Sequence, residues 1–500
     1  MPSLRRALPL LLAAALLAAC GTQVVNPVTG KTERTVMDEQ AEVAEGAKAH
    51  QEVLAEYGAY DDPKVQAYVD GLGQRLSKQS HRASLKWTFT VLDSPEINAF
   101  ALPGGYVYVT RGIMAYLDSE AELAGVMGHE IGHVTARHGA QRATRQQTAG
   151  IGVIAATVLG AVIEAAGVPG ATDLASQASQ SAAAGYIASY SRDQESQADE
   201  LGAEYLARNH YDPQNMVDVI EVLKNQEQFA IDAAKAEGKP APSGGGWLAS
   251  HPANDQRLAD IKAFAAKYKG QAGYADNGRA RYLQAIDGMV FGDSPAQGLV
   301  RGRSFYHESL GVALTAPEGW AVQNTAEAVL LVDGAKDAGL IVRMVPAKAG
   351  KTHGEVIRNV FKPTDGRTEA RSLHGLAATH FSGTVRNQQG QSRPATFTLV
   401  TGPGERNYLL QYAAKDAAAM QRAAAGLREA EASFRALTAA DRAAARAWRV
   451  DTVPYPRGGF AELARASPLP QRAEAQLRLI NGVYGGGAEP KPGQAVKVVR

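Results

Sequence analysis

The chain has 500 residues, with 52 basic and 51 acidic side chains and a formal net charge of +1. This length exceeds what one small hydrophobic core organises, so two or three domains are expected. The near-zero charge gives no reason to expect a nucleic-acid partner. Cys20 is the only cysteine, so residues 21–500 form no disulfide, which suits an oxidising compartment such as the periplasm.

The first 19 residues are predicted to be a secretory signal peptide. Arg5 and Arg6 form a positive region, and the apolar stretch at 7–17 is too short to span a bilayer by itself. The sequence Leu-Ala-Ala-Cys at 17–20 resembles a bacterial lipobox, which implies cleavage before Cys20 and its lipidation. The alternative is an ordinary signal peptide with a chance cysteine.

The lipoprotein interpretation is favoured because Cys20 is the chain's only cysteine. Acyl chains on Cys20 would hold the protein to a membrane surface. Gly21 follows the cysteine, where inner-membrane lipoproteins carry aspartate. We therefore expect the protein to be anchored on the periplasmic side of the bacterial outer membrane.

The next segments alternate between helical and strand patterns. Residues 20–39 are polar and rich in turn formers, which predicts a tether. From about 40 to 83 apolar residues recur at helical spacing. Alternating stretches at 87–93 and 106–110 predict two strands, with the turn-rich Ala-Leu-Pro-Gly-Gly between them. Helical periodicity returns over 118–143.

An apolar stretch rich in glycine and alanine follows at 150–167. A buried helix, or one that covers a site, is favoured because Glu164 lies within it; a transmembrane span is the alternative. Another helix is predicted at about 176–208, and a further helix starts after a glycine-rich loop at 237–247.

The composition changes near residue 290. Short β-rich stretches and then an alanine-rich helix at about 415–447 predict a separate α+β domain at 290–447. Residues 448–500 are predicted to have the order strand, helix, helix, strand, and their ending resembles a divergent LysM-like module. The alternative is a small domain or a C-terminal brace.

Residues 129–133 read His-Glu-Ile-Gly-His. The side chains of this motif are candidates for metal binding and for activation of water. On a helix His129 and His133 lie one turn apart on the same face, so both imidazoles can bind one metal ion. Glu130 lies about 100° around the axis, within reach of a water on that ion. Zinc makes such a water acidic, and a carboxylate can then take its proton.

A catalytic zinc site usually has three protein ligands, so a third is needed. A histidine six residues after His133 is excluded, because that residue is Gly139. Glu195 and Asp199 are four apart on a predicted helix. One of them can bind zinc while the other accepts a hydrogen bond from a ligand histidine. An exposed acidic helix face is the alternative.

His-Glu-Ile-Gly-His followed by Glu-Ser-Gln-Ala-Asp at 195–199 resembles the H-E-x-x-H and E-x-x-x-D motifs of a gluzincin family. That family contains the heat-shock membrane protease HtpX and the CAAX prenyl endoproteases. Segments 97–112, 190–199 and 250–257 also resemble the family. With the lipobox, the chain is similar to the family's periplasmic lipoprotein branch, and the resemblance covers about 40–270.

The resemblance implies a zincin-like metallopeptidase domain at 40–275, mainly α with a small β-sheet. The α+β domain and the small C-terminal module then follow. One Zn²⁺ per chain is expected. The implied residues are His129, His133 and Glu195 as zinc ligands, Glu130 as general base, and Asp199 as the residue that orients a ligand.

The strand that contains Tyr106, Val107 and Tyr108 is expected at the edge of the sheet beside the cleft, where an extended substrate can add to it. Asn98 is a candidate contact for substrate backbone, with a turn role as the alternative. Arg257 is expected to form an orienting ion pair, with support of a tetrahedral oxyanion as the alternative.

His251 lies beside the glycine-rich loop and before a proline. It is a candidate fourth zinc ligand that latches the resting site and excludes water. The alternative is a loop histidine with local hydrogen bonds.

The sequence therefore predicts a zinc-dependent endopeptidase of the bacterial cell envelope. It would cleave unfolded or misassembled periplasmic and outer-membrane proteins by Glu-assisted attack of zinc-bound water. A binding or chaperone lipoprotein with a regulatory metal is the competing hypothesis, and the intact Glu130 argues for the enzyme. Peptidoglycan contact through the C-terminal module is compatible with both.

Overall fold

The computed structural model describes residues 22–145, 190–238, 251, 255–268, 273–274, 276–325, 328–386 and 392–500. Cys20 and the apolar stretch at 150–167 lie outside these residues. The chain divides into two compact units, one formed by residues up to 289 together with 449–500 and one formed by 290–448. No helix of the described part combines the length and apolarity needed to cross a bilayer.

The first unit combines helices with small sheets. Its elements up to residue 289 are β1 (Thr22–Val25), β2 (Thr32–Thr35), α1 (Glu39–Tyr57), α2 (Pro63–Lys78), β3 (Thr88–Leu92), β4 (Ala99–Leu102), β5 (Tyr106–Thr110), α3 (Arg111–Tyr116), α4 (Glu120–Thr135), α5 (Arg192–Arg208), α6 (Gln214–Ala236), α7 (Asp255–Lys267) and α8 (Arg279–Ile286). Strand β6 (Met289–Phe291) begins where this segment ends.

A three-stranded sheet lies beside the long helices, in the order β3-β5-β4. Strand β5 pairs in parallel with β3 and antiparallel with β4. The prediction that Tyr106–Tyr108 form an edge strand is therefore wrong: they lie in the central strand, and β3 and β4 are the two outer strands. The sequence Ala-Leu-Pro-Gly-Gly is also only partly a turn, because Ala101 and Leu102 belong to β4. Gly104 and Gly105 turn the chain with φ of 82° and 93°.

Residues 449–500 complete the first unit. Their elements are most of β18 (Trp448–Pro454), then α12 (Gly459–Arg465), α13 (Ala473–Ile480) and β19 (Ala495–Val499). The numbers follow chain order, so those of the second unit come before them. The order strand, helix, helix, strand is as expected, and β18 pairs antiparallel with β19.

This C-terminal module packs against the rest of the first unit through polar contacts. Gln476 Nε2 donates to Tyr116 Oη at 3.1 Å, and Tyr484 Oη donates to Asp232 Oδ2 at 2.6 Å. Lys497 is fully buried. Its Nζ donates to the carbonyl oxygen of Ala115 at 3.2 Å and also to the carbonyl oxygen of Leu117. The module is therefore part of the same compact unit as the motif helix α4.

The second unit is an α+β structure. Its elements are β7 (Leu299–Arg301), β8 (Ser304–His307), β9 (Val312–Thr315), β10 (Ala321–Asn324), β11 (Val329–Val332), β12 (Ala338–Met344), α9 (His353–Val356), β13 (Pro363–Leu373), β14 (Leu376–Arg386), β15 (Ser392–Thr401), β16 (Asn407–Ala414), α10 (Ala417–Ala432), β17 (Arg435–Ala436) and α11 (Ala439–Ala444). Short 3₁₀ turns at Ala347–Ala349 and Pro403–Glu405 and a π turn at Ile357–Phe361 connect them.

Seven strands of this unit form one antiparallel sheet in the order β10-β11-β12-β16-β15-β14-β13, and four form a second in the order β17-β9-β8-β7. The single helix predicted at 415–447 is wrong. The chain leaves α10 at Ser433, buries Phe434, pairs Arg435 and Ala436 with β9, and only then forms α11. Alanine-rich composition favours helix, but burial of Phe434 and strand pairing decide the conformation here.

Candidate metal centre

Four buried side chains converge in the first unit: His129, His133, Glu195 and His251. One ligand atom from each lies within 4.8 Å of all the others. Nε2 of His129 is 3.0 Å from Nε2 of His133 and 3.2 Å from Nδ1 of His251. Oε1 of Glu195 is 3.5 Å from Nε2 of His133 and 3.0 Å from Nδ1 of His251. Such close approach of nitrogen and oxygen lone pairs is typical of a metal site.

Helix α4 positions the two motif histidines. The Ser119 side chain accepts from the backbone N–H of Glu122 and caps the helix N-terminus. Acidic Glu120 and Glu122 lie in the first turn, where they complement the helix dipole. Every residue of the helix is buried, so the hydrophobic core fixes its rotation as well as its position.

Glycines let α4 and α5 approach closely. A Cβ built on Gly132 would lie 3.0 Å from the carbonyl oxygen of Ala198, and one on Gly128 would lie 3.3 Å from Leu206 Cδ1. A Cβ on Gly202, in the facing helix α5, would lie 3.1 Å from the backbone nitrogen of His129. Small residues at this contact bring the carboxylates of α5 to the histidines of α4. Gly132, the glycine inside the motif, therefore allows the two helices to pack closely.

Helix α5 supplies both predicted carboxylates. Ser191 and Gln194 form a capping box at its start, which fixes the first turn that carries Glu195. Asp199, one turn later, places Oδ1 2.8 Å from Nδ1 of His129. Because that contact involves Nδ1, it leaves Nε2 of His129 facing the cluster. A carboxylate in this position fixes the orientation of a ligand histidine.

Arg257, on α7, lies among these acidic groups. Its guanidinium donates to both carboxylate oxygens of Asp199, at 2.7 and 2.9 Å, and its Nη1 lies 3.0 Å from Glu195 Oε2. Nη1 also donates to the carbonyl oxygen of His251 at 2.8 Å. Burial alone would raise the pKa of Asp199, but Arg257 and His129 hold that pKa below its usual range. The fork geometry favours a positioning role for Arg257.

Two further side chains contact His133. The spacing places His138 elsewhere on the helix as a structural residue, and sequence reasoning did not identify Tyr190. Nδ1 of His138 lies 2.9 Å from Nδ1 of His133, and Nε2 of His138 lies 2.9 Å from Gln197 Oε1. The ring of Tyr190 stacks on that of His133, with centroids 4.0 Å apart. His138 follows Arg137, whose φ of 60° breaks the helical path after α4. A spacing argument that assumed one continuous helix could not have placed His138 there.

Glu130 and His251 face each other across the cluster. Oε1 of Glu130 is 3.6 Å from Nε2 of His251. Both residues are only 1% exposed, as is His129. Glu130 is therefore enclosed together with the cluster.

The residues predicted to contact substrate lie on the β3-β5-β4 sheet. Val107 and Tyr108 are fully buried in the central strand, and the Tyr108 hydroxyl lies 2.7 Å from Nδ1 of His50. Tyr106 is partly exposed and stacks on the ring of His50. Asn98 precedes the edge strand β4, and its side-chain oxygen has no hydrogen-bond partner among the described residues.

The donor set fits zinc. Imidazole nitrogens and one carboxylate are ligands that Zn²⁺ prefers, and three protein ligands with one further position match its tetrahedral coordination. Ligand histidines in zinc sites usually have a hydrogen-bond partner on the ring nitrogen that does not bind the metal. Here Asp199 contacts His129 and His138 contacts His133 in this way. His129, His133 and Glu195 would hold the ion, with His251 at the fourth position.

Residues 63–265 match the family model described as Peptidase family M48. This part of the chain is therefore similar to M48 metallopeptidase domains, which belong to zinc-dependent enzymes. The matched range lies inside the predicted domain at 40–275. The predicted resemblance and the predicted zinc cofactor are thereby confirmed.

Curated relatives match the same region. The chain is 30% identical over 251 residues to the "Beta-barrel assembly-enhancing protease" of Yersinia pestis, covering 49% of this chain and 48% of that protein. It is 31% identical over 206 residues to the protein of that name from Escherichia coli strain K12, covering 40% and 39%. It is 30% identical over 219 residues to "Mitochondrial metalloendopeptidase OMA1" of Schizosaccharomyces pombe, covering 43% and 58%. The match thus spans less than half the length of these two bacterial relatives.

Proposed function

We propose that this protein is a zinc-dependent endopeptidase of the bacterial cell envelope that cleaves unfolded or misassembled periplasmic and outer-membrane proteins. One observation carries the proposal: Glu130 faces a cluster of three histidines and a glutamate whose donor set suits zinc. A protein that used zinc only for structure would have no need of a buried carboxylate there. The names of the bacterial relatives, which refer to β-barrel assembly, support the envelope setting.

In this mechanism His129, His133 and Glu195 hold the ion, and Asp199 orients His129. Zinc, when bound, acts as a Lewis acid toward the scissile carbonyl and makes a nearby water more acidic. Glu130 accepts the water's proton on a carboxylate oxygen and then passes it to the leaving amine. Arg257 keeps Asp199 and Glu195 ionised and in place. It therefore acts as a positioning residue and does not itself contact the oxyanion.

The substrate is proposed to bind in extended form along β4. Thr110 N–H donates to Asn98 O at 3.0 Å, so alternate residues of β4 direct main-chain groups toward β5. The intervening Ala99 and Ala101 then direct theirs to the open edge, where a substrate strand can pair. Asn98, with its unpartnered side-chain oxygen, is a candidate to accept a hydrogen bond from the substrate. A folded protein offers no such free backbone.

His251 is proposed to latch the resting site. Its Nδ1 lies within 3.2 Å of both His129 Nε2 and Glu195 Oε1, which is the position of a further ligand. The enclosure of Glu130 supports the same conclusion, because water and substrate must reach that carboxylate for cleavage. Displacement of His251 would open the centre.

The location is proposed to be the periplasmic face of the outer membrane, with lipid on Cys20. Membrane fractionation tests this: the parent should sediment with outer membranes and Cys20→Ser should become soluble, whereas identical behaviour would exclude the anchor. For residues 448–500 we favour a brace over a LysM-like contact with peptidoglycan, because the buried Lys497 and the Gln476–Tyr116 bond join them to the peptidase unit. Co-sedimentation of the full chain with purified cell wall would contradict that choice.

Zinc removal tests the proposed function. Dialysis of residues 21–500 against a chelator should abolish cleavage of casein, and one equivalent of zinc per chain should restore it. Asp199→Asn should weaken zinc affinity about 10- to 100-fold, because His129 loses its orienting carboxylate. The matched control is Asp193→Asn, an exposed residue of the same helix, which should bind zinc like the parent. Full cleavage by the metal-free protein would exclude a zinc peptidase.

A further inference from the structure

The second unit contains a pocket of about 300 Å³. None of its lining residues takes part in the proposed peptidase reaction. This volume is at the lower end of the range of small-molecule sites. It equals about ten groups the size of a water molecule, each of about 30 Å³. Its walls are mostly apolar and include Phe305, Leu310, Val312, Leu314, Val342 and Phe434.

Two polar atoms in this pocket lack a partner. Tyr408 Oη and His307 Nδ1 are buried, and neither has a hydrogen-bond partner among the residues that the structure describes. Tyr408 is only 3% exposed. An unsatisfied buried hydroxyl is destabilising, so its presence indicates a function or an absent partner. Both residues line the same pocket, which therefore has a polar part.

The protonation states of these two residues define what they can bind. Burial raises the pKa of Tyr408, so its hydroxyl remains a donor at neutral pH. Burial, and then the nearby Arg406, lowers the pKa of His307, so its ring is neutral and carries one N–H. The pair can therefore offer two donors to one acceptor group.

The charged side chains that the structure describes at this pocket are arginines. Arg343 lines it, and Arg406 lies near enough to His307 and Tyr408 to act on both electrostatically. None of the described lining residues is an aspartate or a glutamate. An acceptor group with negative charge is favoured over a cation at the polar end.

We propose that this pocket binds an amphipathic saturated monocarboxylate of about ten carbons in total, the carboxylate accepting hydrogen bonds from Tyr408 and His307. The tail would lie against Phe305, Val342 and Phe434. This is a binding site separate in chemistry from the metal centre, and it stands whether or not the peptidase proposal holds.

Titration calorimetry of the full chain without its signal peptide tests the proposal, with octanoate, decanoate and dodecanoate as probes. One molecule should bind per chain, and affinity should rise about fourfold per added methylene until the pocket is filled. Decanol should bind at least tenfold more weakly than decanoate, and decyltrimethylammonium should not bind. Absence of one-to-one binding at every tail length, or equal binding of decanol and decanoate, would overturn the assignment.

A pair of tyrosine variants makes the test specific. Tyr408→Phe should weaken decanoate binding at least tenfold without lowering the melting temperature, because its hydroxyl has no hydrogen-bond partner in the described part of the chain. Tyr412→Phe is the control on the same strand, since its hydroxyl donates to Glu431 Oε2 at 2.6 Å. It should lower the melting temperature and leave decanoate affinity unchanged. Unchanged affinity in Tyr408→Phe would refute the site.

Discussion

At the residue scale, the chemistry depends on a few contacts that hold ligand side chains in one orientation. His129 is fixed by Asp199, which is in turn fixed by the two donors of Arg257. His133 is fixed by His138. His129 and His133 therefore present Nε2 to the centre, and a zinc ion bound there would meet a site that needs little further ordering.

Replacing His251 tests the latch at this scale. His251→Ala should raise the basal rate of casein cleavage at least threefold at saturating zinc, because it removes the side chain that approaches both His129 and Glu195. The control is His210→Asn, an exposed histidine at φ 62°, a conformation that asparagine tolerates. It should cleave like the parent. Equal or slower cleavage by His251→Ala, with zinc bound, would mean that His251 does not restrain the enzyme.

The motif spacing predicts much of this site. The i, i+4 relation of His129 and His133 and of Glu195 and Asp199 defines two helix faces, and the structure brings these faces together. The role of His138 could not be predicted, because it depends on a positive φ at Arg137. The fork between Arg257 and Asp199 is a contact over 58 residues, which periodicity cannot reveal.

At the element scale, the order of strands decides where a substrate can bind. Alternation predicted two strands correctly but gave no information on pairing, and the edge strand was hidden in a stretch that reads as a turn. The parallel pairing of β3 with β5 places β5 in the centre. Pairing is set by long-range contacts, so it lies beyond local patterns.

Ala101→Pro tests substrate addition to β4. Proline removes one outward N–H and leaves the pairing with β5 intact, as an edge strand permits. Cleavage of casein should fall about tenfold in kcat/KM, since one main-chain hydrogen bond and the close approach of substrate are lost. Zinc content should remain one per chain. Ala101→Val, which keeps the N–H, should cleave within twofold of the parent; an equal loss in both variants would exclude strand addition.

At the scale of the whole molecule, the C-terminal module returns to the peptidase unit after an intervening 159-residue unit. Composition predicted a change near residue 290 and a small module at the end. It could not predict that the module and the peptidase share one core, because contacts such as Lys497 with Ala115 join residues 382 apart.

The buried Lys497 predicts a pH dependence of unfolding. Burial lowers its pKa to about 8, while Asp118 and Glu122 raise that pKa and Arg279 lowers it further. The unfolded chain, with a lysine pKa near 10.4, binds more protons between pH 8 and 10.4, so stability rises with pH there. The free energy of unfolding of the parent, relative to Lys497→Met, should increase by roughly 2 kcal/mol from pH 7 to 10.

Denaturant unfolding of both proteins at the two pH values measures this difference. The control is Lys491→Met, an exposed lysine of the same module, which should follow the parent at both. A constant difference between the parent and Lys497→Met would show that the lysine is not held in a buried environment.

The most direct test of the central claim compares zinc content and casein cleavage of the parent with those of Glu130→Gln. Glutamine keeps the size and burial of Glu130 but cannot accept a proton from water. We predict one zinc per chain in both proteins and a loss of cleavage of about 10²- to 10⁴-fold in the variant. Cleavage by the zinc-loaded variant at the rate of the parent would contradict the role of Glu130, and with it the proposed zinc peptidase.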